Sequence, residues 1–549
     1  MKKLICIGLY GLFVMFSHSS LAQVTLWYNA KGYGFDPQRA LVRFEALAVE
    51  KGKVLEVGDN AIQQRYPDAK QVDLKGKSIL PGLIDAHAHF MGLGYSLLEA
   101  DVRDIRSKLA TVKAVASFAK QNPDLDWVRG GGWNQVLWPE NDFPNATDLD
   151  EFIQNRPVWL ERVDGHAGWA NSLALKMAGI DESTLDPPGG QILRDSKGKP
   201  SGILIDNAMQ LIQEKLPKYD ANSFNLAFEA AQSHLLELGI TSLHDAGIEK
   251  DVYDFYQHQL AEHQLKLRIY AMIAGWDTDL LPMLEKGFIQ DDKDLLSIRS
   301  VKLVADGALG SRGAALLEPY SDDHDNTGLM VTSEQQLSQL YEQIIKRGFQ
   351  LNVHAIGDRA NRIALDQYAA TYQKVGGRDL RHRIEHAQII NPADIPRFKQ
   401  LNLIASMQPT HATSDKNMAG DRLGKERLKG AYAWHSMLAQ GTIVAAGSDF
   451  PVELANPFFG LHAAVTRQDR DNQPRQGWLP EQKMTLEQAL RAFTADAAYA
   501  AFQEDRIGSL SKGQWADFIV VDRDIFAIPE QDLWKPKVLQ TWVAGEQQF

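Results

Sequence analysis

Eight short apolar runs separated by helix-length stretches constrain this 549-residue chain more than any other feature. The first ends at His89. The others lie at residues 240–243, 267–273, 300–305, 350–354, 382–386, 403–407 and 443–446. Runs of this length bounded by turn residues are buried-strand material, and their alternation with helices predicts a parallel sheet. The helix signals agree: residues 224–238 end at Gly239, and residues 334–347 carry basic side chains in the last turn before Gly348. Eight strands with intervening helices predict an α/β chain built on a (β/α)8 TIM-like barrel.

The two ends read differently. Short alternating strands such as Ala46-Leu47-Ala48-Val49 and Val54-Leu55-Glu56-Val57 are mirrored near the other end by Ala516-Asp517-Phe518-Ile519-Val520-Val521. We expect residues 23–79 and 501–549 to pair into a flanking β-sandwich. Residues 80–94 then hold barrel strand 1, residues 95–220 an inserted subdomain, and residues 221–500 the rest of the barrel. The insert is far too long for one crossover.

Residues 1–22 predict a cleavable secretory signal. Lys2-Lys3 precede an apolar stretch and Ser20-Leu21-Ala22, a small-x-small cleavage pattern, and the apolar core is too short for a membrane span. Cleavage places the mature protein in the periplasm or outside the cell, with no membrane contact, and takes the net charge from −12 to −14. That charge argues against nucleic acid and anionic membranes as partners, and the partner expected is a small-molecule substrate. Cys6 lies inside the signal, so no thiol is left to serve as nucleophile or ligand. Oligomeric state is open; a homodimer is the form considered.

In such a barrel, chemistry gathers where strands end. His87 and His89 alternate with Ala88 and so project to one side, close enough for one metal ion. Lys302 sits among Val301, Leu303 and Ala305, which predicts that its ammonium points into the barrel. There it needs an anion such as Asp306, a lowered pKa, or carboxylation that would bridge two cations. His354 and His386 end successive strands, and Asp449 ends the last strand beside the first. Imidazole and carboxylate donors suit zinc.

The Pro81–His89 segment occurs with Gly130-Gly131-Gly132-Trp133, Asp164-Gly165-His166-Ala167-Gly168-Trp169, the Lys302–Arg312 string KLVADGALGSR, His354-Ala355-Ile356-Gly357-Asp358 and Met407-Gln408-Pro409-Thr410-His411. With these motifs the chain resembles the amidohydrolase superfamily, specifically the N-substituted formamide deformylase-like branch, amidohydrolase family 3. The resemblance implies a β-sandwich beside a metal-bearing barrel and hydrolysis of C–N bonds other than peptide bonds. By motif position it implies a metal site of His87, His89, Lys302, His354, His386 and Asp449. Two zinc ions bridged by a carboxylated Lys302 are expected, with a single ion as the alternative.

On this reading Asp449 is the general base, and metal-activated water attacks an amide, N-formyl or cyclic amide carbonyl. His166 and His411 are candidates to grip the substrate, Trp169 offers an aromatic face, and Asp306 either lines the site or turns its loop. A deaminase using one metal at His87, His89, His354 and Asp449 is the first alternative. An esterase or lactonase is the second, and a non-catalytic periplasmic binding protein the third. Ammonia release separates deaminase from amidase, and metal analysis separates enzyme from binder.

Overall fold

The parallel sheet follows chain order. Its strands are β1 (Leu83–Ala88), β2 (Ile240–Ile248), β3 (Arg268–Ala274), β4 (Leu296–Val304), β5 (Gln350–Ala355), β6 (Arg383–His386), β7 (Ile404–Met407) and β8 (Val444–Ala446). The structure is a computed structural model and describes residues 23–218 and 220–549, so the predicted signal segment lies outside the described residues. The last strand returns to the first: the Asp449 amide donates to the His87 carbonyl at 2.8 Å, and the His89 amide to that of Phe450 at 2.8 Å. All eight predicted runs are strands. β4 begins before the predicted start because Arg299, which interrupts the apolar pattern, lies with its guanidinium 3.7 Å from the Phe502 ring centre.

Outward-facing residues such as Val301, Leu303, Leu351 and Val353 join the main apolar core with the surrounding helices. The inward face is unusually polar. Lys302, Asn352, Arg383, Glu385, His244 and Ser406 are all buried. Such groups must pair with one another, with water or with an ion.

Two further sheets draw on both chain ends. One orders strands Lys53–Gly58, Ala46–Glu50, Thr25–Tyr28 and Lys70–Asp73. In the other, the C-terminal Phe518–Val521 pairs antiparallel with Ser78–Pro81, immediately before β1. Trp27, Leu47, Val54, Ile79, Phe518 and Val520 form a shared apolar cluster. A buried ion pair ties this region to the barrel floor: Arg268 at the start of β3 reaches Asp517 through Nε at 2.5 Å and Nη2 at 2.9 Å.

Between β1 and β2 stands a six-stranded sheet that includes Val128–Trp133, Val158–Arg162, Ala167–Ala170 and Pro200–Asp206. Apolar clusters cover both of its faces, one around Trp133, Trp138 and Trp169, the other around Trp159, Ala170 and Leu204. Among the described residues no helix is long and apolar enough to cross a membrane.

Candidate metal centre

The strand ends bring the predicted donors together, and local backbone geometry makes it possible. Strand alternation alone would send His386 away from Glu385, but His386 and Ala387 take φ of 70° and 44°. That turn brings the His386 ring to 4.7 Å from His87 and 4.5 Å from His354. Asp449 likewise sits at φ 64°. It follows Gly447, where a Cβ would stand 2.5 Å from both Asp85 Oδ1 and the His87 amide. Asp85 closes the same seam, accepting from the Ser448 amide and hydroxyl and from the His87 amide. Burial pushes the Asp85 carboxyl up to about 7.

Asp449 is the hub. Its Oδ1 lies 3.1 Å from His89 Nε2 and 3.5 Å from His87 Nε2, and its Oδ2 lies 3.6 Å from His411 Nε2 and 4.0 Å from His386 Nδ1. Lys302 Nζ is 3.2 Å from His87 Nε2. Ligands bound tetrahedrally at zinc distances stand about 3.3–3.4 Å apart, so the spacings of Asp449 to His89 and His87 and of Lys302 to His87 fit donors around a shared ion. The orphaned atoms agree: His354 Nε2, His411 Nε2 and Asp449 Oδ1 are buried without a hydrogen-bond partner. His87, His89 and Asp449 form one group able to hold an ion, and His386, His411 and Asp449 another. The residues present therefore fit a metal.

Electrostatics point the same way. Burial would raise Asp449, but His87, His89 and His411 hold its carboxyl well below the usual carboxylate range. Burial, helped by the Lys302 charge, brings His87 down to about 4, and burial holds His354 and His386 well below normal. These imidazoles are neutral at neutral pH, as ligands must be. Burial lowers Lys302 to about 8 against the pull of Glu385 and Asp449. Those two carboxylates, rather than Asp306, are the anions acting on it.

Several predicted residues take other places. Trp169 does not present an aromatic face to the site. Its ring is fully buried against Trp133 and Trp138 in the insert core, and its Nε1 donates to the Asn145 carbonyl at 2.9 Å. It lies three positions after His166, so strand alternation puts the two on opposite faces. Asp306 is wholly buried and accepts from the amides of Ile356, Gly357 and Ala315 at 2.8–2.9 Å. Burial still pushes its carboxyl up to about 7. It pins the β4 and β5 loops behind His354, whose Nε2 is 3.7 Å away. His166 does arrive, its ring 5.3 Å from that of His354. Burial opposes its charge, but the hydrogen bond to Asp206, with Asp164 and Asp306 near, raises it to about 9.

Glu385 is the main residue missed. It is fully buried and accepts from His87 Nδ1 at 2.5 Å, with Arg383 Nε 2.7 Å from its other oxygen. Burial favours its neutral form, yet Arg383 and His87 hold it well below the usual range. A carboxylate on Nδ1 fixes the ring orientation and leaves Nε2 as the ligand atom. Gln408 Oε1 does the same for His386 Nδ1 at 2.8 Å. Glu385 had a signal: it stands beside a candidate ligand on an inward strand, two residues after an arginine that could neutralise it.

The model for the amidohydrolase family matches residues 70–549. The chain belongs to the amidohydrolase family. This amidohydrolase is 35% identical over 532 residues to Protein LONG AFTER FAR-RED 3 of Arabidopsis thaliana, covering 94% of this chain and 90% of that protein. It is 28% identical over 521 residues to N-substituted formamide deformylase of Arthrobacter pascens, covering 91% and 94% respectively. Its fold matches the crystal structure of an uncharacterized metal-dependent hydrolase from Pyrococcus horikoshii, with a TM-score of 0.74 and 26% identity over 92% of this chain and 99% of that one.

Proposed function

We propose that this amidohydrolase is a metal-dependent hydrolase that cleaves a C–N bond (amide, N-formyl or cyclic amide) of a small molecule. The observation that carries the reading is the convergence of neutral imidazoles, Lys302 and an ionised Asp449 at the ends of five barrel strands, with buried donor atoms left unpartnered. His87, His89, Lys302, His354, His386 and Asp449 would hold zinc, as two ions if Lys302 is carboxylated and as one ion if it is not. Likeness to a protein named for deformylation supports the C–N choice.

A metal bound there supplies an acidified water and polarises the carbonyl. Asp449, ionised and 3.1 Å from His89, accepts the attacking water's proton and passes it to the leaving nitrogen. Glu385 and Gln408 keep His87 and His386 in register. His166 hydrogen-bonds the substrate from the insert side. A variant reading has its own observation: the His386, His411 and Asp449 grouping makes His411 a donor rather than a substrate grip. We propose export to the periplasm from residues 1–22.

Elemental analysis of the purified protein tests this directly. The expected content is about one to two zinc ions per chain, lost in His87→Ala, with chelator-sensitive hydrolysis of some member of a panel of N-acyl, N-formyl and cyclic amides. Metal-free protein whose hydrolysis ignores chelators would overturn the metal. Ammonia release from amino-heterocycles, with no amide cleaved, would move the assignment to deaminase.

A further inference from the structure

Asp206 is a residue whose position costs the fold at two points. Its backbone sits at φ 47°, ψ −124°, a region that glycine tolerates and other residues occupy only under strain. Its side chain is 2% exposed, and one oxygen, Oδ2, has no hydrogen-bond partner. Burying half a carboxylate unpaired is unfavourable. Strain and an orphaned oxygen together call for a compensating contact, and the fold provides one. Oδ1 accepts from His166 Nδ1 at 2.6 Å.

The surroundings are shaped for that carboxylate. Gly307 and Gly313, on the barrel loop that follows β4, each lie against it; a Cβ on either would stand 2.7 Å from Oδ2. The strand Pro200–Asp206 thus delivers an anion through a gap between two glycines to the far side of the His166 ring. The ring's other nitrogen, Nε2, has no protein partner among the described residues. The ring itself leans on His354, whose Nε2 is equally unpartnered.

We propose that Asp206 is the positioning residue that aims His166 Nε2 at the bound substrate, so that the seam between insert and barrel loop is a working part of the active site. The inference rests on the hydrolase reading, in which His166 contacts substrate. Asp206 acts only through His166. It fixes the ring by accepting from Nδ1, as a carboxylate behind an imidazole does when the opposite nitrogen must be held in one direction.

The test pairs Asp206→Asn with Asp206→Gly in metal-loaded, full-length protein. Glycine relieves the backbone strain, so Asp206→Gly should melt at or above the wild-type temperature. A purely structural Asp206 would instead melt lower. Histidine-selective 15N labelling should show a strongly downfield Nδ1 proton in wild type, assigned by its loss in His166→Gln and absent in Asp206→Gly. With the amide found best in the panel above, both Asp206 variants should lose about 10–100-fold in kcat/KM, the fold-change for a lost hydrogen bond to a charged group, at unchanged zinc content. A persisting downfield proton, or a lower melting temperature with unchanged kinetics, would overturn the proposal. If wild type holds no metal and cleaves no amide, the hydrolase reading fails instead, while the proton and the melting temperatures still judge the Asp206–His166 pairing.

Discussion

At the scale of single residues, the proposed function separates the group that would handle the proton from the groups that hold it in place. Among the described residues, Asp449 is the only carboxylate within 4 Å of four site imidazoles. Asp449→Asn preserves its shape and removes its basicity. Turnover should fall by roughly 10²–10⁴-fold with an unchanged circular dichroism spectrum, and near-normal turnover would place the base elsewhere. Glu385→Gln should act differently, because it weakens the grip on His87 without touching the reacting atoms. Zinc affinity, read by competition with a chromophoric chelator, is expected to drop about 10–100-fold. The donors were legible in the sequence because each ends an apolar run. Glu385, Gln408 and Asp206 were not singled out, since a residue that orients another is recognised only by whom it touches.

At the scale of elements, the seam between β8 and β1 decides whether the donors meet. Backbone bonds join Asp449 to His87 and His89 to Phe450, and Gly447 is packed hard against that junction. Gly447→Ala must displace either the Asp85 carboxylate or the His87 backbone. Over-packing of this kind destabilises by about 1–3 kcal/mol. We expect a lower midpoint in urea together with reduced zinc content; a stable variant with full zinc would show that the seam yields easily. The strand count and order were readable from apolar runs and glycine stops. The turns at His386 and Asp449 were not, because a positive φ at a non-glycine residue leaves no mark in composition. Trp169 shows the converse: a motif rich in aromatic and glycine reads as a binding surface, yet strand alternation buries the indole in the insert.

At the scale of the whole molecule, folding buries histidines in their neutral form, and this sets the acid limit. His382 is clear of the metal centre, stacked on Tyr368 and Tyr372, and its Nδ1 accepts from the Leu351 amide at 2.9 Å. Burial lowers it to about 3. The unfolded chain therefore takes up this proton first, near pH 6.5. The stability His382 contributes is complete above that pH, is lost as pH falls, and stops changing below about 3. His382→Asn keeps an acceptor near the Leu351 amide but does not titrate. Its stability, from urea melts at successive pH values, should lose about 1.4 kcal/mol per pH unit less than wild type between pH 6 and pH 4. Equal slopes would locate the acid sensitivity in other groups.

What the sequence determined by itself is local and periodic. Apolar runs specify strands, their spacing specifies a barrel, and polar residues at the run ends specify donors aimed at one mouth, because a parallel barrel sends every strand end to the same face. Tertiary structure alone decided which polar groups support those donors. His87 meets Glu385 across 298 positions, His166 meets Asp206 through two strands of the insert, and Asp306 turns away from Lys302 to three backbone amides. Such pairings depend on register and on bends of a single residue. Hydrophobic periodicity carries no information about them, since every partner is buried and polar and is defined only by the geometry that satisfies it.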